Sequence, residues 1–182
     1  MIVRKPLIIA LAIGIALSGA APAAWAQAQG TSGAPAKNRP IEPQEFLRLA
    51  YSSATLQGQA AKLAAGRETR PEVKSYATGA AEFRLGLLQR IEGFAKERSL
   101  PLPSVKEFEH QVIIENLEPL DYLALSRRYA EIQLQALGQE IGIYQAAARS
   151  PSAEIKAFAE QVLPELQRQQ EGAQRMHEAV RP

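Results

Sequence analysis

Few side chains in this chain could do chemistry. There is no cysteine and there are two histidines, so thiolate chemistry is excluded and any catalytic or metal-binding work falls to carboxylates, hydroxyls and two imidazoles. His110 sits in Glu107-Phe108-Glu109-His110, where helical geometry brings Glu107 beside it. Two exposed ligands seldom hold an ion without a third, so His110 reads as a surface histidine in a charged patch. His177 lies near the end of the last helical segment, where the dipole favours a cation. The serines lack a G-x-S-x-G context, and no glycine loop is built to cradle a phosphate. Tyr51, Tyr76, Tyr122, Tyr129 and Tyr144 fall mostly at core spacing and read as packing residues with a hydrogen-bonded tip.

Arg84 is the most informative charged residue. It falls four residues after Ala80 and three before Leu87, on the apolar stripe of a helix. If it is buried it needs a carboxylate, and Glu140 on the stripe of another helix is the natural partner. The other placement, slightly favoured, puts Arg84 at the stripe's edge with its head in water. Replacing it by methionine separates the two, because an unchanged melting temperature is incompatible with a required bridge.

These residues are positioned by helices. From Pro43 onward apolar residues recur at three- and four-residue steps, and no stretch alternates as a strand would. A first helix is expected over about 43–67, with Phe46, Ala50, Ala54, Ala61 and Ala64 inward. A second opens at Thr69 and Glu72, which have capping-box spacing, and ends before Pro101. Ser104 and Glu107 suggest another capping box, opening a short helix with Val105, Phe108 and Val112 inward. A third long helix spans about 119–149, with Leu125, Tyr129, Ile132, Ala136, Ile143 and Ala147 inward. The last begins at Ser150-Pro151 and continues to about Val180, with a bend expected at Pro164. Charged residues on the second and last helices (Glu92, Lys96, Glu97, Arg168, Glu171, Arg175) read as a solvated face.

The first 26 residues are of another kind. Arg4 and Lys5, an apolar run from Leu7 to Leu17 and the small residues ending in Ala24-Trp25-Ala26 form the pattern of a secretory signal peptide, with cleavage between Ala26 and Gln27. An uncleaved anchor is the competing reading, disfavoured by Pro22 and the cleavage motif. No cysteine is available for lipid attachment. The precursor has 21 basic and 19 acidic residues, and loss of Arg4 and Lys5 leaves the two signs balanced. That balance, with no dense basic cluster, argues against a nucleic-acid partner. Residues 27–42 are rich in Gly, Ala, Pro and polar groups and are expected to form a flexible leader to a domain over 43–181.

An internal repeat sets the architecture. Residues 64–77 match residues 146–159, shifted by 82 positions, with six of 14 identical and Val/Ile and Tyr/Phe pairs besides. Both copies straddle a turn between helices. The expectation is an all-α fold, a four-helix bundle of two related hairpins joined by a long connection that carries the short helix.

Four segments carry a family resemblance: Phe46-Leu47 to Leu63-Ala64, Val73-Lys74-Ser75-Tyr76-Ala77, Ser126-Arg127-Arg128-Tyr129, and Ile155-Lys156-Ala157-Phe158-Ala159 with Leu163-Pro164. They resemble the ferritin-like "domain of unknown function 4142" group of exported bacterial proteins, over about Pro43 to Met176. The resemblance implies an exported four-helix bundle with an inward glutamate on the first helix and histidines on the other three, a set that could hold a metal. The corresponding residues here are Gln57, Arg84, Leu137 and Gln169, none of which replaces the missing ligands. Glu140 is retained among the polar inner positions. A di-iron carboxylate bundle needs Glu-x-x-His pairs, and this chain has none.

The expectation is therefore a non-catalytic periplasmic protein with no cofactor and a binding or structural role in the envelope. Its partner is unknown, with contact to an envelope protein or a membrane surface left open. The alternatives are a metal- or redox-active ferritin-like protein using Glu140 with Glu45 or Glu82, and a membrane-associated protein held by an uncleaved signal or by outer-membrane contact.

Overall fold

Pro43 starts the first helix because its fixed φ suits a first turn and its missing N–H is one that a helix leaves unbonded there. The computed structural model describes residues 40–67, 69–103 and 108–181. Among them are five α-helices and no strand: α1 (Pro43–Gly66), α2 (Pro71–Glu97), α3 (Phe108–Leu117), α4 (Tyr122–Ala147) and α5 (Ala153–Val180). The expected signal peptide, its Ala26/Gln27 cleavage site, most of the leader and the Ser104–Glu107 capping box lie outside the described residues. Among those described, no helix is long and apolar enough to cross a membrane.

Several local expectations are corrected. Ile41, assigned to the leader by composition, is buried in the core, and its carbonyl accepts from Ser150 Oγ at 3.5 Å. Thr69 does not cap α2. Its hydroxyl donates back to the Ala64 carbonyl, while the first turn of α2 is served from another helix, where Ser126 Oγ accepts from Arg70 N at 2.9 Å. The cap of α5 is Ser152, whose oxygen accepts from Ile155 N, and not Ser150. In α3, Val112 is exposed, and Leu117 and Ile114 turn inward instead. Pro164 lies within α5, where it cannot donate to the Glu160 carbonyl.

The most extensive packing is between α1 and α2 and between α4 and α5, the two hairpins that the repeat marks. Contacts of α1 with α4 and of α2 with α5 join them around one core. Aromatic rings fix the directions. Phe46 near the start of α1 meets Tyr144 near the end of α4 with centroids 5.1 Å apart, and Phe94 near the end of α2 meets Phe158 near the start of α5 at 4.9 Å. Tyr76 and Tyr129, 6.4 Å apart, lie at the other end. α2 and α4 therefore run the same way, and the chain between them must return along the full length of the core. α3 lies on that return path, against α1 and α4.

The inward face of α4 differs from the one expected. Leu125, Tyr129 and Ala147 are buried, but Ile132, Ala136 and Ile143 are only half-buried. The fully inward positions are Gln133, Leu137, Glu140 and Tyr144. Two of them are polar, so the middle of the core is not wholly apolar.

Helix-interior glycines separate into two kinds. A Cβ at Gly58 would stand 3.3 Å from the Cβ of Arg84, so α1 and α2 cross closely there. At Gly79 in α2 and at Gly138 and Gly142 in α4 a Cβ would meet no atom within 4 Å. Glycine inside a helix costs about 0.5–1 kcal/mol against alanine, and no contact among the described residues requires it at those positions.

Candidate functional site

Three helices deliver one polar group each to the middle of the core. Gln57 comes from α1, Arg84 from α2 and Glu140 from α4, and they are 1%, 1% and 0% exposed. Arg84 reaches this depth because Gly58 leaves room for its stem beside α1. Its Nη1 donates to both oxygens of Glu140, at 2.8 and 2.7 Å, and its Nη2 donates to Gln57 Oε1 at 2.6 Å. Gln57 Nε2 closes the ring by donating to Glu140 Oε2 at 2.8 Å and also to Ser53 Oγ at 2.9 Å. Arg84 is thus not at the stripe's edge with its head in water. A buried guanidinium is costly unless a carboxylate meets it, and Glu140 and the Gln57 amide together supply that.

Around this ring lie further buried polar atoms. The hydroxyls of Tyr129 and Tyr144 and the Gln133 amide nitrogen have no hydrogen-bond partner among the described residues. Burial pushes the Tyr144 hydroxyl well above its ordinary pKa, with the negative Glu140 adding to the effect. Tyr129 is likewise raised well above the ordinary value, by burial first and by Tyr76 second. Tyr76 is pushed up to about 12, mainly by burial. Its ring passes Gly172 of α5, where a Cβ would be 3.1 Å away, and its hydroxyl donates to the Gln169 carbonyl at 3.3 Å.

The remaining residues singled out in the sequence are placed as follows. Leu137 is fully buried one turn from Glu140, and Gln169 is half-buried on α5. Glu82 is exposed on the outer side of α2, and Glu45 is half-buried in the first turn of α1, three turns before Gln57. Neither is among the groups bonded to Glu140. His110 is half-buried, with Nε2 3.1 Å from the oxygen of the buried Ser52, so it joins α3 to α1 and is not simply a surface residue. Its expected neighbour Glu107 lies outside the described residues. His177 is half-buried in the last turn of α5.

The donor set does not suit a metal ion. Both oxygens of Glu140 are engaged by a guanidinium or an amide, Gln57 Oε1 already accepts from Arg84, and Leu137 offers no donor. A divalent cation here would also stand beside the fixed positive charge of Arg84. Among the described residues no group of three or more histidine, cysteine, aspartate or glutamate side chains is arranged to hold a metal.

Sequence reasoning missed Gln133, Ser53 and Ser126. Gln133 had a usable signal, since it lies seven residues before Glu140 on one face of α4. Ser126 and Arg127 prove to be long-range caps: Ser126 serves the start of α2, and Arg127 Nε donates to the Val180 carbonyl at the end of α5 at 3.0 Å. Two residues of the Ser126-Arg127-Arg128-Tyr129 segment therefore hold helix ends.

No curated protein and no solved structure matches this chain. A family model matches residues 26–176. That span takes in every helix up to the last turn of α5 and all the residues of the central ring, and so the chain belongs to the family described as Domain of unknown function (DUF4142).

Proposed function

We propose that this protein is an exported, non-catalytic four-helix bundle of the ferritin-like arrangement, resident in the periplasm and serving a binding or structural role in the cell envelope. The observation that carries this reading is the closed ring of Gln57, Arg84 and Glu140. Glu140 is the one buried carboxylate among the described residues, and its oxygens are taken by Arg84 and Gln57. Where a metal-dependent bundle holds unprotonated ligands facing an open centre, this one holds a neutral, self-satisfied ion pair. Its chemistry is spent on holding helices together.

The arrangement of the helices supports the bundle reading. Two hairpins with one long return connection, and α2 running in the same direction as α4, are features of the ferritin-like plan. Support for export comes from the charge, apolar run and small-residue order of residues 1–26. The family match begins at residue 26, beside the expected cleavage point.

Protein recovered from the periplasm without a histidine tag tests both halves. N-terminal sequencing is expected to start at Gln27, and metal analysis to find iron, manganese and zinc well below one ion per chain. An intact Met1 in the membrane fraction overturns the export reading. A stoichiometric metal overturns the non-metal role.

A further inference from the structure

α3 lies against α1 and leaves a cleft between the two helices. Thr55 and Gln59, one turn apart on α1, form one wall. His110, Ile114 and Glu118, in steps of four along α3 and its end, form the other, with Gln111 and Glu115 beside them. The cavity between these walls measures about 300 Å³, at the lower end of the range for small-molecule sites.

Floor and mouth differ in character. Thr55, Gln59, His110 and Ile114 are half-buried, whereas Gln111, Glu115 and Glu118 are exposed at the mouth. In the floor, the Thr55 hydroxyl oxygen is buried and has no hydrogen-bond partner among the described residues. A buried polar group of this kind is unfavourable until something bonds to it. At the mouth, Gln111 Nε2 donates to one oxygen of Glu115 at 2.8 Å, and neither carboxylate is matched by a cation among the described residues.

The electrostatics select a positive ligand. Glu115 and Glu118 stand at the C-terminal end of α3, where unbonded carbonyls are already negative and no basic side chain lies in the last turn. Carboxylates there destabilise the helix end unless a cation joins them. Arg67 reaches this end, but its Nη1 and Nη2 donate to the Glu118 and Leu120 carbonyls and not to a carboxylate. Lys62, about one turn past Gln59, is exposed on α1 and outside the lining. No lysine or arginine lines the cavity, so its charged groups, His110 apart, are the two carboxylates.

A metal ion fits this set poorly, since His110, Glu115 and Glu118 are not gathered as a metal-binding group. His110 is also engaged by Ser52. An ammonium group suits it better, because it donates N–H to carboxylates and brings a hydrocarbon stem to the side chain of Ile114.

We propose that the α1–α3 cleft binds a small aliphatic amine of the diamine or polyamine class. One ammonium donates to Glu115 and Glu118 at the mouth, and the methylene chain lies on Ile114. The inner amino group meets Thr55 and Gln59. The binding role proposed above thereby gains a site separate from the central ring. It rests on that binding reading and not on export or metal content, whose tests are independent of this one.

Isothermal titration calorimetry of the purified protein at low salt, with 1,4-diaminobutane and with spermidine, tests this. One-to-one binding is expected, with a dissociation constant between about 10 μM and 1 mM. Glu115→Gln and Glu118→Gln keep the shape of the mouth and remove its charge. Each is expected to weaken binding by about three- to tenfold, while the thermal midpoint without amine stays unchanged or rises. Methylamine, which has no chain to lay on Ile114, is expected to bind at least about tenfold more weakly. Glu82→Gln removes an exposed charge on α2 and should leave the constant within about twofold. Absence of binding by both amines up to about 10 mM overturns the proposal. Binding that neither carboxylate variant weakens does so too. Magnesium ion or N-acetyllysine amide binding more tightly than spermidine also overturns it, by reassigning the mouth to a metal or to a protein lysine.

Discussion

Gly58 of α1 lies where a Cβ would stand 3.3 Å from the Cβ of Arg84 in α2, so the closest approach of these helices and the depth of the guanidinium are one feature. A methyl group at position 58 must push back the stem of Arg84. That stem cannot easily yield, because its head is pinned by hydrogen bonds to Gln57 and Glu140.

Gly58→Ala is therefore expected to destabilise the protein by about 1–2 kcal/mol despite alanine's better helix propensity. The same change at exposed Gly79, where a Cβ meets nothing within 4 Å, is expected to stabilise by about 0.5–1 kcal/mol. Urea denaturation of the two variants checks the contrast, and two changes of the same sign refute it.

Tyr144 is fully buried, packs edge-on against Phe46 with centroids 5.1 Å apart, and has a hydroxyl with no hydrogen-bond partner among the described residues. Tyr144→Phe keeps the ring contact and removes a desolvated oxygen. It should raise stability by roughly 0.5–1 kcal/mol. A clear loss in thermal or chemical denaturation means that the hydroxyl is bonded in solution.

Alkaline pH should unfold the protein through its tyrosines. Burial pushes Tyr76 up to about 12, and Tyr129 and Tyr144 lie well above the ordinary value. In the unfolded chain these hydroxyls ionise at about 10. Above that pH the unfolded state loses protons that the folded state keeps. Their contribution is thus undiminished below about 10 and is lost as pH rises from there through about 12 and beyond. Tyrosinate absorbance from these residues is expected to appear together with loss of helical circular dichroism. Their ionisation near pH 10 with helicity intact contradicts this.

Much of the fold was legible because its signals are local. Pro43 and Pro71 fix helix starts through their own rings, and the repeated turn shows itself in residues adjacent in the chain. What depended on distant partners was not legible. The cap of α2 is supplied by Ser126, 56 residues from Arg70, so the adjacent Thr69 was the misleading candidate. On α4, ranking apolar residues first drew the inward stripe to Ile132, Ala136 and Ile143 and passed over Gln133, although Glu140 was placed on it. The stripe of α2 admitted Arg84 at either its edge or its centre. Only the assembled core, in which Gln57 of α1 and Glu140 of α4 come within hydrogen-bond reach of Arg84, makes the buried position favourable.

The most direct measurement is a double-mutant cycle on Arg84 and Glu140, followed by chemical denaturation. Arg84→Met and Glu140→Met should each cost about 3–5 kcal/mol, because each leaves the opposite charge buried with only Gln57 to meet it. Both changes together should come within about 1 kcal/mol of the original protein or exceed it, since an apolar pair replaces an ion pair of similar volume. Single variants that each cost less than about 1 kcal/mol and simply add would contradict a core centred on this pair.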